Sequence, residues 1–146
     1  MSNLVDSIPH KPPFRFIDEV TELREDGATA IRTLQPDEFY FAGHYPGNPI
    51  MPGVLLSEAA FQTAAVYLAK RLAGEGINMA ERTPILSRIS DAKFKNMVRP
   101  GETITIDVTY QKTMADFHFL RGTVRRGDGK VAVALEFVLA LVEASP

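Results

Sequence analysis

Hydrophobic and polar residues alternate over several stretches of this chain, which is typical of β-strands with one buried face. Near the N-terminus the alternation covers Arg15–Leu23 and Ala28–Leu34, and the Asp26-Gly27 pair between them is typical of a hairpin turn. Four later stretches are rich in valine, isoleucine, threonine and phenylalanine: Ile85–Lys93, Thr103–Gln111, Phe117–Val124 and Val131–Leu141. The pattern therefore predicts two early strands and four long late ones.

The stretch Val54–Leu72 is predicted to be a helix instead. It contains no proline or glycine, and its apolar residues cover nearly the whole circumference, as expected of a helix buried on all sides. Gly53 precedes it, and Gly74-Glu75-Gly76 ends it. Because helix and strands are segregated along the chain, the fold class is α+β, with an antiparallel sheet wrapped around a long central helix in one domain over residues 1–146.

Two segments lie outside these elements. Residues Ser2–Ser7 are predicted to form a short helix, and Pro36–Pro52 to form a long loop rich in proline, glycine and aromatic residues. Proline fixes the backbone, so this loop is expected to be rigid. A long sheet curled around one helix cannot cover its own far side in 146 residues. We therefore expect a homodimer, and the alternative is a monomer whose outer strand faces are polar.

Composition removes several kinds of chemistry. The chain has a net charge of −2 and no cysteine, which excludes disulfides, thiolate nucleophiles and cysteine-based metal sites and gives no basic field for nucleic acid. The three histidines, His10, His44 and His118, fit no metal-ligand spacing. The N-terminus lacks the pattern of a signal peptide, and no apolar run is long enough to span a bilayer. We expect a cytoplasmic protein without a metal or a membrane contact.

Glu58 is the residue that points to chemistry. It lies within the first turns of the most apolar helix, where burial would raise the pKa of its carboxyl and suit it to proton transfer. Gln62 lies one turn further on the same face and is placed to hold the carboxylate. The alternative is that Glu58 reaches solvent near the helix start, where it would interact favourably with the helix dipole.

His44 is the second candidate, because it lies in the rigid loop that leads to this helix. A single histidine is more often structural than catalytic, but a buried glutamate 14 residues later favours a catalytic pair. Gly53 adds a third feature, since the free N–H groups of a helix start stabilise negative charge on an oxygen. A base, an acid and an oxyanion donor in one loop–helix unit suggest proton abstraction next to a carbonyl.

These residues stand in a motif that resembles a known family. The run from Gly43 to Leu55, Gly-His-Tyr-Pro-Gly-Asn-Pro-Ile-Met-Pro-Gly-Val-Leu, with Glu58 and Gln62 after it, is similar to the β-hydroxyacyl-acyl-carrier-protein dehydratases of fatty-acid synthesis, which have the hotdog fold. The resemblance extends to Ile8–Phe14 and to Asp91–Glu102, so it spans nearly the whole chain.

The resemblance implies the following activity. The family removes water from a (3R)-3-hydroxyacyl thioester to give a trans-2-enoyl thioester, without a cofactor, and carries its substrate on the phosphopantetheine of acyl-carrier protein. Its members form dimers, often trimers of dimers, in which the histidine and the acid of one site come from different subunits. His44 and Glu58 would be catalytic, and the Gly53 amide would polarise the carbonyl. Gln62 would orient Glu58, and the Ile50 carbonyl would orient His44.

Glutamate at position 58 indicates the branch. A sister group that also isomerises the double bond carries aspartate there, so this chain resembles the non-isomerising dehydratases. Two alternatives stay open: a hotdog thioesterase or hydratase acting on acyl thioesters, and a non-catalytic acyl-binding subunit. The latter would be expected to lack one of the two catalytic groups.

Charge is segregated along the chain. Residues 1–53 carry four basic and eight acidic side chains, whereas residues 82–100 carry five basic side chains against one acidic one. A basic patch would attract an acidic carrier protein, and Lys95 and Arg99 are the predicted contacts; the alternative is a solvated strand face. His10 and His118 are predicted to be structural, with His118 exposed to solvent.

Overall fold

The computed structural model describes residues 4–143 of the chain. It contains one six-stranded antiparallel sheet and one long helix, α1, over Gly53–Gly74. The strands are β1 (Glu19–Arg24), β2 (Gly27–Thr33), β3 (Arg82–Phe94), β4 (Thr103–Met114), β5 (Phe117–Arg125) and β6 (Val131–Glu143). Their order in the sheet is β1-β2-β4-β5-β6-β3. The predicted class, an antiparallel sheet around a central helix, is confirmed.

Helix α1 is buried along most of its length because it packs against five of the six strands. Small residues allow the close approach. A Cβ atom at Gly122 on β5 would lie 3.1 Å from the Cβ of Ala60, so a larger residue would push the helix away. Gln62 and Thr63 lie in the middle of this apolar surface and are fully buried. Thr63 is satisfied by a hydrogen bond from its hydroxyl to the Ala59 carbonyl.

A proline lies at the start of α1 and a glycine with a positive φ angle lies just after its end. Pro52 is the N-cap and gives no side-chain cap, while its carbonyl accepts hydrogen bonds from the N–H groups of Leu55 and Leu56. At the other end Gly76 has φ of 84°, which is the left-handed conformation that commonly ends a helix. The predicted helix is confirmed, with one residue more at its start and two more at its end.

The early segment differs from the prediction. Strand β1 begins at Glu19 rather than Arg15, because the backbone of Phe16 is hydrogen-bonded to the Gln62 side chain instead of to a neighbouring strand. The N-terminal helix is a short 3₁₀ turn over Leu4–Ser7, and the first residues of its predicted range lie outside the described part of the chain. The other strands were predicted correctly, apart from small differences at their ends.

Strand β3 lies at one edge of the sheet and pairs only with β6. From Ile85 to Phe94 all of its side chains are exposed, and four of them are large and apolar: Ile85, Leu86, Ile89 and Phe94. A long apolar edge strand has unpaired backbone groups and an uncovered face, which is the arrangement through which strands of two chains pair. Among residues 4–143 no helix is long and apolar enough to cross a membrane.

The prediction that His118 is exposed to solvent is wrong. Its side chain does point away from Phe117 and Phe119, but that face is the core face of β5, and His118 is only 3% exposed. Its Nδ1 atom lies 2.8 Å from the Thr113 hydroxyl. Burial lowers the pKa of the imidazole. The residue is therefore structural, as predicted, but within the core.

Candidate active site

Glu58 lies on the second turn of α1, at the edge of the buried surface. Its side chain is 21% exposed, so it is neither fully buried nor free in solvent. Burial raises the pKa of its carboxyl, and a hydrogen bond from Gln62 offsets part of that rise. A carboxyl in this position holds its proton to higher pH than an ordinary glutamate does, which is what a general acid near neutral pH requires.

Gln62 holds Glu58 from one turn further along the helix. Its amide nitrogen donates to Oε2 of Glu58 over 3.1 Å and to the carbonyl of Phe14 over 3.0 Å. Its amide oxygen accepts the N–H of Phe16 over 2.8 Å. Both amide protons are thus used, and the orientation of the amide is fixed by the backbone of the segment before β1. The contact predicted between Gln62 and Glu58 is present.

His10 also reaches Glu58, which the sequence analysis did not predict. Its Nε2 atom lies 3.6 Å from Oε2 of Glu58. The segment that carries His10 is held against α1 by the hydrogen bonds between the Gln62 amide and the backbone of Phe14 and Phe16. These bonds bring His10 close to Glu58, although the two residues are 48 positions apart in the sequence. The similarity of Ile8–Phe14 to the family's first motif is the one sequence signal that could have drawn attention to His10.

His44 lies in the loop before α1, in a tight turn. Tyr45 and Gly47 both have positive φ angles, 63° and 85°, and the N–H of Asn48 donates to the carbonyl of Tyr45. The N–H of Met51 donates to the carbonyl of Val98, which anchors the loop to the segment before β4. A turn and this anchor therefore hold the loop, which the sequence predicts to be rigid.

The imidazole of His44 has a defined orientation. Its Nδ1 atom lies 2.9 Å from the carbonyl oxygen of Ile50, the atom that the resemblance implies. A carbonyl oxygen only accepts hydrogen bonds, so Nδ1 carries the proton and donates it. The Nε2 atom is then the unprotonated nitrogen, with its lone pair available to accept a proton.

Gly53 opens α1 and borders a cavity of about 260 Å³. Pro52 supplies no side-chain cap and its carbonyl binds only the N–H groups of Leu55 and Leu56, so the N–H groups of Gly53 and Val54 remain available to an oxygen atom of a ligand. The ring of Phe94 lies directly over Gly53, and a Cβ atom at position 53 would be only 2.6 Å from it. A side chain at position 53 would require the Phe94 ring to shift. The cavity wall is otherwise apolar, with Lys95 and Asn96 at its edge.

The two predicted carrier contacts lie near this cavity. Lys95 is exposed and lines it, and its backbone N–H donates to the carbonyl of Ala132. Arg99 is also exposed, and its guanidinium donates to the side-chain oxygen of Asn48 in the histidine loop. Both cations are thus on the same side of the molecule as the helix start.

The chain does not bring all of the predicted site residues into one contact. Gln62 meets Glu58 and Ile50 meets His44, but none of the contacts formed by residues 4–143 joins His44 to Glu58. Within the same residues no group of three or more potential ligands is placed to hold a metal ion.

Comparison with known sequences places the chain in a family. Residues 8–138 match the FabA-like domain. The FabZ 3-hydroxyacyl-[acyl-carrier-protein] dehydratase of Caulobacter vibrioides is 33% identical, with 100% of this chain and 90% of that protein covered. The enzyme of the same name from Clostridium perfringens is 32% identical, with 97% of each chain covered.

Solved structures share the fold. The dehydratase heterocomplex ApeI:P from Xenorhabdus doucetiae matches with a TM-score of 0.81 over 99% of this chain and 93% of that chain, at 13% identity. A thioesterase from Haemophilus influenzae matches with a TM-score of 0.60 over 88% of this chain and 80% of that chain, at 15% identity. At these identities the likeness shows the fold alone, which is the hotdog fold expected from the sequence.

Proposed function

This chain belongs to the FabA-like family, and from that premise we propose that it is a 3-hydroxyacyl-[acyl-carrier-protein] dehydratase. It removes water from a (3R)-3-hydroxyacyl thioester and leaves a trans-2-enoyl thioester, in the synthesis of fatty acids or related acyl chains. The observation that carries the proposal is the match to relatives of that name over nearly the whole chain, together with a glutamate whose carboxyl pKa is raised by burial.

Two side chains move the protons. His44 takes the proton from C2 of the acyl chain at Nε2, the nitrogen left free by the hydrogen bond of Nδ1 to Ile50. Glu58 gives its proton to the departing 3-hydroxyl, which leaves as water as the C2–C3 double bond forms. The raised carboxyl pKa of Glu58 keeps that proton available. The reaction needs no metal or redox cofactor in this scheme.

The helix start stabilises the intermediate charge. Removal of the C2 proton places negative charge on the thioester oxygen, and the Gly53 N–H at the uncapped start of α1 is suited to bind it. The ring of Phe94 has to move off Gly53 to admit the thioester, because the two are in direct contact. The cavity beside Gly53 then receives the thioester end of the substrate.

We propose that the active unit is a homodimer, with His44 of one chain facing Glu58 of the other. Two observations support it: within one chain these residues make no contact with each other, and the apolar edge strand β3 is uncovered. Edge-to-edge pairing of β3 from two chains would cover Ile85, Leu86 and Ile89 and continue the sheet. Association of three such dimers is the higher assembly that the family resemblance implies.

The proposed partner is an acyl-carrier protein, whose phosphopantetheine arm carries the substrate, and the proposed location is the cytoplasm. Lys95 lies exposed at the cavity beside the helix start, and Arg99 lies exposed against Asn48 of the histidine loop, where both are suited to an acidic carrier. Reversing both charges, Lys95→Glu with Arg99→Glu, is expected to raise KM for the carrier-linked substrate and to leave kcat for a pantetheine-linked one unchanged. An equal KM for both proteins would contradict this part of the proposal.

The deciding experiment measures enoyl-thioester absorbance when the purified protein is mixed with a 3-hydroxyacyl thioester of acyl-carrier protein. His44→Ala and Glu58→Ala are each expected to abolish the signal while circular dichroism stays unchanged. A mixture of the two variants is expected to regain part of the activity after subunit exchange. In a mixed dimer one of the two shared sites contains both an intact His44 and an intact Glu58. Full activity in either variant would contradict the mechanism, and exchange without rescue would contradict the shared site.

The same assay separates the alternatives named above. A thioesterase would release a free thiol and no enoyl product, and a hydratase specific for CoA thioesters would act on the CoA-linked compound and leave the carrier-linked one unchanged. A non-catalytic subunit would bind the acyl thioester and leave it unchanged. The predicted absence of isomerase activity is tested in the same reaction by following whether the double bond stays between C2 and C3.

A further inference from the structure

Two neutral groups approach the same oxygen of Glu58. Gln62 donates to Oε2 from 3.1 Å, and Nε2 of His10 lies 3.6 Å from the same atom. No hydrogen-bond donor of residues 4–143 reaches the other carboxylate oxygen, Oε1. The carboxyl group is therefore asymmetric: one oxygen is held by the protein, and the other is open to a ligand.

The two ring nitrogens of His10 have different surroundings: Nδ1 is buried in the protein, and Nε2 faces Glu58. Its Nδ1 atom is buried without a hydrogen-bond partner among the described residues. A buried N–H without an acceptor is costly, so the ring proton belongs on Nε2, which has Oε2 of Glu58 in front of it. Polar contacts of this kind are often long before the substrate binds and shorten afterwards.

The surroundings keep His10 neutral. Burial, followed by the charge of Arg15, lowers the pKa of its imidazole. Arg15 also fixes the residue, because its Nε donates to the His10 carbonyl over 3.1 Å while its guanidinium pairs with Asp6. From α1 the group that faces His10 is Glu58, which the neutral amide of Gln62 holds, and from its own segment the charged group is Arg15.

We infer that His10 is a positioning residue for the acid: with Gln62 it occupies Oε2 of Glu58, so that the carboxyl proton resides on Oε1, the oxygen open to the substrate. This inference rests on the proposed function for its purpose, because a general acid has to present its proton to the leaving hydroxyl. Its structural part, one hydrogen bond from Gln62 and the approach of His10 Nε2 to 3.6 Å from the same oxygen, stands on those two contacts alone.

The test titrates Glu58 directly. Protein labelled with ¹³C at the glutamate carboxyl carbons is followed by NMR against pH, and the Glu58 signal is identified by its absence in Glu58→Gln. In His10→Leu the titration midpoint is expected to move to higher pH, because a donor to the charged form has been removed. In His10→Gln the midpoint is expected to stay near that of the wild type, since the Gln amide nitrogen occupies the place of Nε2.

Two further variants control the test. His118→Leu removes a histidine that is buried far more deeply than His10, lies on β5 and bonds Thr113, and it is expected to leave the Glu58 midpoint in place. Should His10→Leu not fold, His10→Asn gives the same contrast with His10→Gln, because the shorter amide reaches the place of Nδ1 and not that of Nε2. The inference would be overturned if the Glu58 titration midpoint were the same in His10→Leu as in the wild type. It would also be overturned if His10→Gln moved the midpoint as far as His10→Leu does.

Kinetics supply the functional readout. His10→Leu is expected to lower kcat about tenfold with KM within about twofold of the wild type, because the acid is misoriented while binding is unchanged. His10→Gln is expected to recover most of that loss. Should the wild type not dehydrate a 3-hydroxyacyl carrier thioester, the proposed function fails, but the titration still decides the role of His10. If the wild type is active and the Glu58 titration midpoint is unchanged in His10→Leu, the inference about His10 is contradicted and the proposed function stands.

Discussion

Two polar clusters lie along helix α1, and they differ in whether their unpaired polar atoms are buried in the core or belong to partly exposed side chains. The acid cluster, His10, Glu58 and Gln62, leaves one carboxylate oxygen without a donor among the described residues. The tyrosine cluster lies at the other end of the helix and consists of Tyr67, Arg71, Tyr110, Thr113 and His118.

The contacts of the tyrosine cluster connect the end of α1 to the sheet and so stabilise the fold. The Tyr67 hydroxyl donates to the Glu25 carbonyl and accepts from Arg71, whose guanidinium lies 3.9 Å above the Tyr110 ring. Thr113 links the Tyr110 hydroxyl to His118. Every hydroxyl there has a protein partner, whereas Glu58 keeps an open oxygen and a raised carboxyl pKa. Each cluster contains a polar atom without a partner among the described residues, but Nε2 of His118 is buried in the core, whereas the open oxygen of Glu58 belongs to a partly exposed carboxyl with a raised pKa.

The largest difference between the clusters is expected in catalysis. Glu58→Gln removes the transferable proton and keeps the size of the side chain, so kcat is expected to fall by roughly a thousandfold. Tyr67→Phe, the matched change in the tyrosine cluster, is expected to leave kcat within about twofold. Both are measured with a carrier-linked 3-hydroxyacyl substrate. Comparable losses in the two variants would remove the distinction between the clusters.

The next largest effect is expected in stability. Gln62→Leu leaves the Phe16 N–H and the Phe14 carbonyl without their partner. An unsatisfied buried group costs about 1–3 kcal/mol, and here the Phe16 N–H is buried while the Phe14 carbonyl is partly accessible, so the free energy of unfolding is expected to fall by about 2 kcal/mol. Urea denaturation at neutral pH measures it. A loss below about 1 kcal/mol would show that the segment before β1 is not held by this amide.

A smaller effect is expected from Thr113→Val. The change keeps the shape of the side chain and removes the hydroxyl that bonds His118 and Tyr110. The expected loss is about 1 kcal/mol in the free energy of unfolding, with kcat unchanged. Thermal denaturation and the enoyl assay give the two values. A clear loss of activity at unchanged stability would mean that the tyrosine cluster also serves the site.

The smallest effect concerns pH. Since burial raises the carboxyl pKa of Glu58 above the ordinary 4.5, the folded protein binds this proton more tightly than the unfolded chain does. Stability contributed at this position is therefore present below pH 4.5 and is lost as the pH rises through the folded-state value. Glu58→Gln cannot titrate, so its stability relative to the wild type is expected to increase over that range. Denaturation curves of both proteins from pH 4.5 to 8 test this, and a constant difference would contradict it.

The sequence predicted the elements well because their patterns are local. Helix α1 could be located from its apolar run and its glycine borders, and the late strands from their alternation. The start of β1 could not, because Phe16 alternates like a strand residue while its N–H is bound by a helix side chain 46 residues away. The alternation of apolar and polar residues in β5 also shows that His118 lies on the face opposite Phe117 and Phe119. It does not show which of the two faces of the strand packs against the core.

The site was predictable to the extent that its contacts are short in sequence. Ile50 with His44 and Gln62 with Glu58 are six and four residues apart. The approach of His10 to Glu58 depends on how the N-terminal segment folds over α1, and no local pattern carries that information. The pairing of His44 with the acid of a second chain stays a prediction that the dimer experiment addresses.

The position of β3 in the sheet has a consequence for how the protein is made. Thirty-six residues separate its end at Phe94 from the start of its only partner, β6, at Val131. As the chain leaves the ribosome, β3 with its apolar side chains emerges well before the strand that completes its side of the sheet. Until β6 is made, both edges of β3 are open to strands of other chains. We therefore expect this protein to aggregate through β3 when synthesis of the β4–β6 region is slow or interrupted.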